Sequence, residues 1–518
     1  MRIAFVEKTL RFSIPLGLSS VAASLREGGH EVDIFAESSS SQGLLNEIRG
    51  FAPDAVAFSV ISGEHQHYFS LSKQIREELG SYIIWGGPHM TFFPDVVENP
   101  FVDAVCIGEG EEATRMLADR FDYGGGDLPT DVPCYWVKSD GQIYRNLVMP
   151  RNRSLDDLPW AARDLYYKKY PETKTHAIKS FMAHRGCPYK CTYCFNEGYN
   201  QIYKLEAGDK QVMSRRSPDG IVDEVLFEKS RSNLEMVAFV DDVFSIHRRW
   251  TMDFAEVYAR RCRLPFSINI RFDNVNEDMV EALVDAGLHL VTCGVESGNE
   301  FIRNSVMKRQ MTEEVMYDAA ALYKKHGVLL LTENILGAPS ETYEMALETL
   351  KVNQNIRPIY ANASLFSPYP KLEITEYAIE KGYFDGDFDK LDNNYYQGSI
   401  MEFETERDKI RITNLRCFFG LLTHYPRMLN ILSPCLDMKP NSFFRWIGDL
   451  MDGWYLKKTM PYRLSIREML RLAYFFLVRH RRGSNSIFSK GSPFVSVEWR
   501  GKQRSDDRSI QGDSVTSW

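Results

Sequence analysis

The sequence contains no long apolar run, no signal peptide and no excess of basic residues. Nowhere do about 18 uninterrupted apolar residues occur, the minimum for a membrane-spanning helix. The first residues, MRIAFVEKTLRFSIPLG, lack the apolar core and cleavage site of a secretion signal. With 62 Lys and Arg against 70 Asp and Glu, the formal charge is -8 at pH 7, which argues against a general nucleic-acid binder.

Cysteine is also scarce, and its distribution is uneven. Nine cysteines occur in 518 residues, three of them within the segment from Cys187 to Cys194. This is unlike the disulfide framework of a small secreted protein and favours a reducing interior. We therefore expect a cytoplasmic protein, with peripheral contact at the inner membrane face left open. The length predicts two or three domains.

The first domain is predicted from Met1 to about Gly126. Five strand-like runs (IAFV, VDIF, AVAFSV, YIIWGG and AVCIGEG) alternate there with helical stretches. This pattern predicts an α/β fold with a doubly wound parallel sheet, in which ligands bind at the carboxyl ends of the strands. Small residues that let a large flat ligand approach the backbone follow the last three runs, namely Ser59, Ser62, Gly86, Gly87, Gly108 and Gly110.

Four further regions follow along the chain. Residues 127–175 are predicted to be a linker with a hairpin at Asp140-Gly141. Residues 176–370 contain six strand-like runs alternating with helices, which predict a partial (β/α)6 barrel with its chemistry at the carboxyl ends of the strands. Residues 371–482 are predicted to be α-rich, and the polar composition of 483–518 predicts a disordered tail.

The segment RGCPYKCTYCFN places Cys187, Cys191 and Cys194 at C-x3-C-x2-C spacing directly after the first barrel strand. Three thiolates this close can ligate three irons of one cubane cluster and leave the fourth iron without a protein ligand. That iron can chelate S-adenosylmethionine (SAM), which one electron from the cluster then cleaves to a 5'-deoxyadenosyl radical. The alternative is a structural zinc site with His184 as the fourth ligand.

This segment resembles the signature of the radical SAM superfamily, and the resemblance extends over roughly Phe181 to Tyr369. It implies a [4Fe-4S] cluster on the three cysteines and SAM contacts from strand ends. Because an unpaired buried carboxylate is costly, Glu296 needs a partner in any reading, and Arg271 is a structural candidate for that partner. The SAM contacts implied are Tyr193, Asp241, Asp242, Arg271, Glu296, Ser297, Gly298, Gly337 and Pro339.

The first domain resembles the cobalamin-binding domain of cobalamin-dependent radical SAM proteins, most clearly in WGGPHMTFFPD. The resemblance implies corrin contacts at Ser59, Ser62, Gly86, Gly87 and Gly108. Many such domains carry an Asp-x-His-x-x-Gly loop after the first strand, whereas EKTLRFSIPLG has no histidine. Two readings remain: cobalamin binds without a protein histidine, which we favour, or the domain has lost it. His89 is expected to be structural, while His65 and His67 are candidates for the corrin pocket.

The segment from Tyr455 to Arg482 has eight Lys or Arg against one acid, interleaved with leucines and aromatics. A basic amphipathic segment of this kind can lie on an anionic membrane surface, cap the barrel over an anionic substrate, or simply pack. Packing is the favoured reading. Substrate identity is expected to reside in this region.

Together the two resemblances imply a methyltransferase that takes hydrogen from an unactivated carbon and transfers a methyl group from methylcobalamin, which a second SAM regenerates. The substrate would be a small or lipid-like molecule, and flavodoxin or ferredoxin would supply electrons. The runner-up is oxidative cyclisation or rearrangement, as in the anaerobic porphyrin-ester cyclases. A non-catalytic cobalamin or redox sensor is the alternative of another class.

Overall fold

The computed structural model describes residues 1–8, 14–37, 41–391 and 398–461. The predicted tail 483–518 and all but the first few residues of the basic segment lie outside these ranges. None of the helices in the described ranges is long and apolar enough to cross a bilayer.

The N-terminal sheet has the strand order β2-β1-β3-β4-β5-β6-β7. Its strands are β1 (Arg2–Glu7), β2 (Glu31–Ala36), β3 (Ala55–Ser59), β4 (Tyr82–Gly86), β5 (Ala104–Cys106), β6 (Tyr135–Ser139) and β7 (Gln142–Arg145). The first five are parallel and largely buried, as expected for strands covered on both faces. Helices follow these strands: α1 (Leu16–Glu27), α2 (Ser41–Phe51), α3 (His65–Leu79), α4 (Pro88–Phe92) and α5 (Glu111–Tyr123).

The helices cover both faces of this sheet, which confirms the predicted doubly wound fold. α1 and α5 pack on one face through residues such as Leu18 and Leu117. α2 and α3 pack on the other face, where Leu45 and Leu71 join the core. The order reverses between β1 and β3, and ligands of such sheets bind at the reversal point.

Residues 127–175 do more than connect two domains. The hairpin predicted at Asp140-Gly141 is present, with both residues at positive φ, and it joins β6 to β7. β6 pairs antiparallel with β5, so the sheet extends past the expected boundary at Gly126. The physical reason is that β5 would otherwise be an open edge. Two short helices complete the segment, α6 (Arg163–Lys169) and α7 (Pro171–Thr175).

The six predicted barrel strands are all present and all parallel, in the order β8-β11-β12-β13-β14-β15. They are β8 (Ile178–Phe181), β11 (Met236–Phe239), β12 (Phe266–Ile270), β13 (Leu288–Glu296), β14 (Leu329–Leu336) and β15 (Tyr360–Leu365). A small antiparallel pair, β9 (His184–Arg185) and β10 (Ser214–Arg215), follows β8. The intervening helices are α8 (Phe195–Glu206), α9 (Pro218–Arg231), α10 (Arg248–Arg261), α11 (Glu277–Ala286), α12 (Glu313–Lys325) and α13 (Tyr343–Ile356).

Alternation along the strands divides the barrel into a helix-covered outside and an inner face. Val291, Cys293 and Val295 of β13 belong to the core beneath the helices. Gly294 and Glu296 therefore face the inside, as side chains alternate along a strand. This alternation brings the polar strand-end residues together at one rim.

The region after the barrel is helical, as predicted. Its helices are α14 (Glu373–Glu380), α15 (Glu406–His424), α16 (Met428–Leu436) and α17 (Ser442–Lys458). α15 packs on β15 through Ile412, Leu415 and Phe419, which share a core with Ala361 and Ala363. Tyr455 of α17 stacks on Tyr360 with ring centroids 6.4 Å apart, so α17 covers the inner face of the barrel near β15.

Candidate functional site

The three-cysteine loop lies between β9 and α8. Gly186, immediately before Cys187, has φ +87 and sits against the carbonyl of Val212, where a Cβ would not fit. Cys187 and Cys191 are buried, and Cys194 is half-buried at the N-cap of α8. The loop is anchored from outside by Thr192, whose amide donates to Met307 O at 3.1 Å. The three thiols are thereby held on one short, tightly bound loop.

Burial opposes ionisation of two of the three thiols. Burial raises the pKa of Cys187 to about 12 and that of Cys194 to about 11. The polar contacts are long, with Arg271 Nη1 3.7 Å from Cys191 Sγ and Asn196 Nδ2 3.6 Å from Cys194 Sγ. A bound metal would have to supply the positive charge that makes thiolates stable here.

The spacing of the thiols argues against tetrahedral zinc. Zn–S bonds of about 2.3 Å place two thiolates about 3.8 Å apart. Among the described residues, only Glu277, Glu281 and His326 bring three ligand atoms within 4.8 Å of one another. At least one pair of the three cysteine sulfurs is therefore more widely spaced, as suits the corners of a larger cluster.

His184, the fourth ligand in the zinc alternative, is held through Nδ1, while its buried Nε2 has no hydrogen-bond partner among the described residues. Its Nδ1 is 2.9 Å from Asp241 Oδ1, and its ring packs on Trp250 with centroids 4.3 Å apart. Asp241 is fully buried and also accepts from the Ala183 amide at 3.1 Å. The side chain of Asp241 thus fastens the start of the cysteine loop, whereas its neighbour Asp242 lines the cavity described below.

Glu296 lies at the rim in a network with two other side chains. Tyr193 Oη donates to Glu296 Oε1 at 3.1 Å, and Arg309 Nη1 donates to Tyr193 Oη at 2.6 Å. Arg309 also lies 3.4 Å from Glu296 and donates to Gly294 O at 2.7 Å. Burial raises the pKa of Glu296, and the charge of Arg309 opposes that rise. The network ties the cysteine loop to the end of β13.

The sequence suggested Arg271 as the charged partner of Glu296, but in the structure that partner is Arg309. Arg271 instead forms a bidentate pair with Asp273 at 2.9 and 2.7 Å and donates to Arg309 O at 2.9 Å. Arg309 follows an irregular segment rather than a strand, so no periodicity marks it in the sequence. Its guanidinium reaches the rim from a neighbouring loop.

Residues after β13 and β14 pack closely on the surrounding elements. A Cβ on Gly298 would overlap the backbone of Glu348 in α13, and one on Gly337 (φ +77) would lie 3.0 Å from the Phe403 ring. Pro339 belongs to the same turn as Gly337. Glu341, also missed from the sequence, accepts hydrogen bonds from the Gly337 and Ala338 amides, and burial raises its pKa to about 8. Ser297 is fully buried beside this turn.

One cavity of about 580 Å³ joins the two α/β units. The first unit contributes the strand-end residues Ser59, Gly86, Gly87 and Gly108, and the barrel contributes Met182, Gly186, Asn196 and Asp242. The cavity continues between the first sheet and α1 and α5 as a slot with an apolar wall, lined by Phe5, Val21, Ala57, Ile84, Cys106, Thr114 and Tyr135. Its lining includes Phe5 of β1 and Ser59 of β3, the two strands between which the order of the sheet reverses.

The other corrin-pocket candidates lie apart from this lining. Ser62 Oγ is 2.9 Å from His89 Nδ1, and the His89 ring stacks on His65 with centroids 4.6 Å apart. Burial lowers the pKa of His89 to about 3. His67 pairs with Glu37. Of the described residues, the cavity lining includes none of these three histidines.

Helix α8 connects the cysteine loop to the first unit. Tyr203 Oη accepts from the Glu109 amide at 2.8 Å, and Phe92 packs so closely on Gly198 that a Cβ would lie 2.7 Å from the ring. Arg185, next to the loop, lies 2.6 Å from Glu111. The loop and the strand ends are therefore fixed relative to each other.

Comparison with known proteins agrees with this arrangement. Residues 4–118 match the B12 binding domain, and residues 182–352 match the radical SAM superfamily. An uncharacterized methyltransferase of Pyrococcus horikoshii is 26% identical over 374 residues, which cover 70% of this chain and 78% of that protein. An anaerobic magnesium-protoporphyrin IX monomethyl ester cyclase of Rubrivivax gelatinosus is 25% identical over 69% of this chain and 64% of the cyclase.

Among solved structures, the cobalamin-dependent SAM radical enzyme OxsB, with aqua-cobalamin and SAM bound, superposes with a TM-score of 0.59. It is 16% identical, over 93% of this chain and 71% of OxsB, and the likeness is one of fold. The fold and the cysteine loop define a radical SAM protein. More closely, the chain belongs to the radical SAM proteins that carry a B12-binding domain ahead of the barrel.

Proposed function

We propose that this protein is a cobalamin-dependent radical SAM methyltransferase acting on an unactivated carbon of a small or lipid-like molecule. The observation that carries the proposal is the shared cavity, which is lined both by the strand ends of the B12-binding domain and by Gly186 and Asn196, on either side of the cysteine loop of the barrel. Methyl transfer needs the corrin and the radical site to meet the same substrate atom. A sensor would not need this continuity.

The residues of the rim suit a [4Fe-4S] cluster and SAM. Cys187, Cys191 and Cys194 would hold three irons, and Tyr193, Asp242, Glu296 and Arg309 would contact or position SAM. When bound, the cluster and SAM supply a carbon-centred radical, and cobalamin supplies the methyl group. Arg309 keeps Glu296 oriented through Tyr193 and offsets its burial. In this proposal Asp241 and Arg271 hold the cysteine loop in place and do not contact SAM.

The first unit suits cobalamin held without a protein imidazole. The corrin would lie over Ser59, Gly86 and Gly108, and the slot between the sheet and α1 and α5 would take the flat base of the nucleotide tail. No described histidine of this unit lines the cavity. Electron paramagnetic resonance of the reduced, cobalamin-loaded protein tests this. Nitrogen hyperfine splitting from a protein histidine would contradict it.

The decisive experiment uses anaerobically reconstituted protein, SAM with a labelled methyl group, cobalamin and a strong reductant. We expect 5'-deoxyadenosine, S-adenosylhomocysteine and labelled methylcobalamin, because a methyltransferase uses SAM in two ways. Replacing Cys187, Cys191 or Cys194 by Ala should remove iron and 5'-deoxyadenosine, whereas Cys262→Ala, in the core away from the loop, should not. A colourless zinc protein would end the proposal.

A cyclase-like reaction is the second candidate, because the Rubrivivax cyclase matches over a similar share of this chain. The same experiment separates the two. A cyclase would form 5'-deoxyadenosine without labelled methylcobalamin and without S-adenosylhomocysteine.

The proposed electron donor is a flavodoxin or ferredoxin. The protein is proposed to be cytoplasmic and to contact the inner face of the membrane through its C-terminal region. Exposed residues near both ends of α17 support the membrane contact. Phe443 and Trp454 are 62% and 58% exposed, and the ammonium groups of Lys457 and Lys458 lie 5.9 and 5.7 Å from the Trp454 ring. Exposed aromatics beside lysines suit an anionic lipid surface.

A further inference from the structure

One wall of the shared cavity carries a buried group of three charges that the proposed chemistry leaves unused. Glu224 of α9 lies between two arginines, with Arg163 Nη1 at 2.5 Å and Arg216 Nη1 at 3.2 Å. All three side chains line the cavity, and each is at least nine-tenths buried. Two arginines against one glutamate leave this group with one excess positive charge.

The two arginines are not equivalent. Arg163 is fully engaged, because its second terminal nitrogen donates to Ser180 O at 2.9 Å and its guanidinium lies 4.5 Å from the Phe181 ring centroid. Arg216 contacts Glu224 through Nη1 alone, and its other guanidinium nitrogens reach no acceptor among the described residues. Arg216 itself lines the cavity. Arg216 therefore offers donors to a ligand.

Over the whole lining the charges balance, but among the described residues no acid of the cavity other than Glu224 forms an ion pair with Arg216. Glu109 and Glu111 lie 3.7 and 2.6 Å from Arg185. Asp242 faces Asn196 at the cysteine loop. A buried guanidinium without a full counter-charge is costly, so the arrangement favours an anionic ligand at Arg216.

We propose that Arg216 binds the phosphodiester of the nucleotide loop of cobalamin, so that the barrel selects complete cobalamin over corrinoids that lack the nucleotide. This rests on the proposed binding of cobalamin. The amide side chains of the corrin are neutral, and the phosphodiester is its one anionic group. A guanidinium matches a phosphate with two parallel hydrogen bonds.

The test compares two corrinoids on full-length, cluster-containing protein prepared without corrinoid. Hydroxocobalamin and cobinamide, which lacks the nucleotide, are titrated and binding is followed by absorption. Arg216→Met should weaken cobalamin about 10- to 100-fold, the usual worth of a charged hydrogen bond, and leave cobinamide nearly unchanged. Arg216→Lys should recover part of the affinity. Arg215→Met, the exposed neighbour in β10, is the matched control and should change neither.

Glu224→Gln tests the proposal by removing the negative charge beside Arg216 while leaving Arg216 in place. It raises the positive charge of the wall, so cobalamin should bind as tightly as before or more tightly, and cobinamide should not change. Equal losses for both corrinoids, or no loss for either, in Arg216→Met would overturn the phosphodiester assignment. A loss of SAM affinity instead would place the anion on SAM and also overturn it. Wild-type protein that binds neither corrinoid would refute the proposed cofactor itself.

Discussion

Glu296 combines two unfavourable conditions that its neighbours compensate. Its backbone has φ +61, a left-handed conformation that costs a non-glycine residue about 1 kcal/mol or more. Its carboxylate is buried and approaches the one arginine, Arg309, that also holds Tyr193. Gly294 leaves room for both side chains, because a Cβ there would lie 2.8 Å from Arg309. Strain kept in this way points to a ligand-binding role.

Glu296→Ala is therefore expected to weaken SAM binding about 10-fold or more while iron content stays near normal, since the residue lies outside the cluster loop. Equilibrium dialysis with SAM and iron analysis of the same samples measure the two effects. Glu300→Ala, at the surface just beyond β13, is the control and should change neither. Loss of iron in Glu296→Ala would mean that the residue is structural.

His89 makes stability depend on pH. Burial lowers its pKa to about 3, so the unfolded chain binds a proton that the folded protein excludes. Stability is complete above the ordinary histidine pKa of about 6.5 and falls as the pH drops below it, by about 2 kcal/mol at pH 5. We expect His89→Asn to flatten the decrease in unfolding free energy between pH 7 and pH 5. An unchanged slope in denaturant titrations would show that other groups control it.

At the scale of elements, the strands of both sheets could be predicted because buried parallel strands are short apolar runs between helical stretches. The side chains at their ends could be placed only in part. Asp241 and Asp242 are neighbours in sequence, yet one is buried against His184 and the other lines the cavity. Arg309 and Glu341 were missed because they reach the site from loops, which follow no period. The hairpin was predicted, but its pairing with β5 is a long-range contact.

Two small residues of the cavity lining, Gly87 and Ser59, differ in what a larger side chain would meet. Gly87 has φ +93, and a Cβ there would lie 2.8 Å from Val60 N, so a larger residue would collide with backbone instead of entering the cavity. Gly87→Leu should therefore lower both the unfolding temperature and cobalamin binding. Ser59→Trp should block cobalamin alone, because Ser59 is exposed at the cavity.

Thermal unfolding and cobalamin titration of both variants check this difference. The control is Ser70→Trp, which adds the same side chain at an exposed position of α3 away from the cavity. Ser81→Trp would not serve, because Ser81 is buried. Full cobalamin binding by a folded Ser59→Trp protein would contradict the placement of the corrin.

For the whole molecule, the outer face of α17 is expected to contact anionic lipid. Full-length protein should sediment with vesicles that contain phosphatidylglycerol and not with phosphatidylcholine vesicles. Lys457→Gln should reduce the bound fraction about fivefold, from roughly 1 kcal/mol per basic residue near the surface. Trp454→Ser should reduce it as well, while Trp160→Ser, 38% exposed elsewhere, should not. Equal binding to both vesicle types would contradict the contact.

Helix α8 begins at Cys194, the last cysteine of the loop, and reaches the B12-binding domain nine residues later, at Tyr203. At 1.5 Å per residue this is a rigid span of about 14 Å. We therefore expect a displacement of the loop that carries Glu109 to shift Cys194 as well. Protein produced by cells starved of corrinoid should lose its iron faster on exposure to air than protein produced with cobalamin in the medium. Preparing this enzyme with its iron intact would then require cobalamin in the growth medium as well as the exclusion of oxygen.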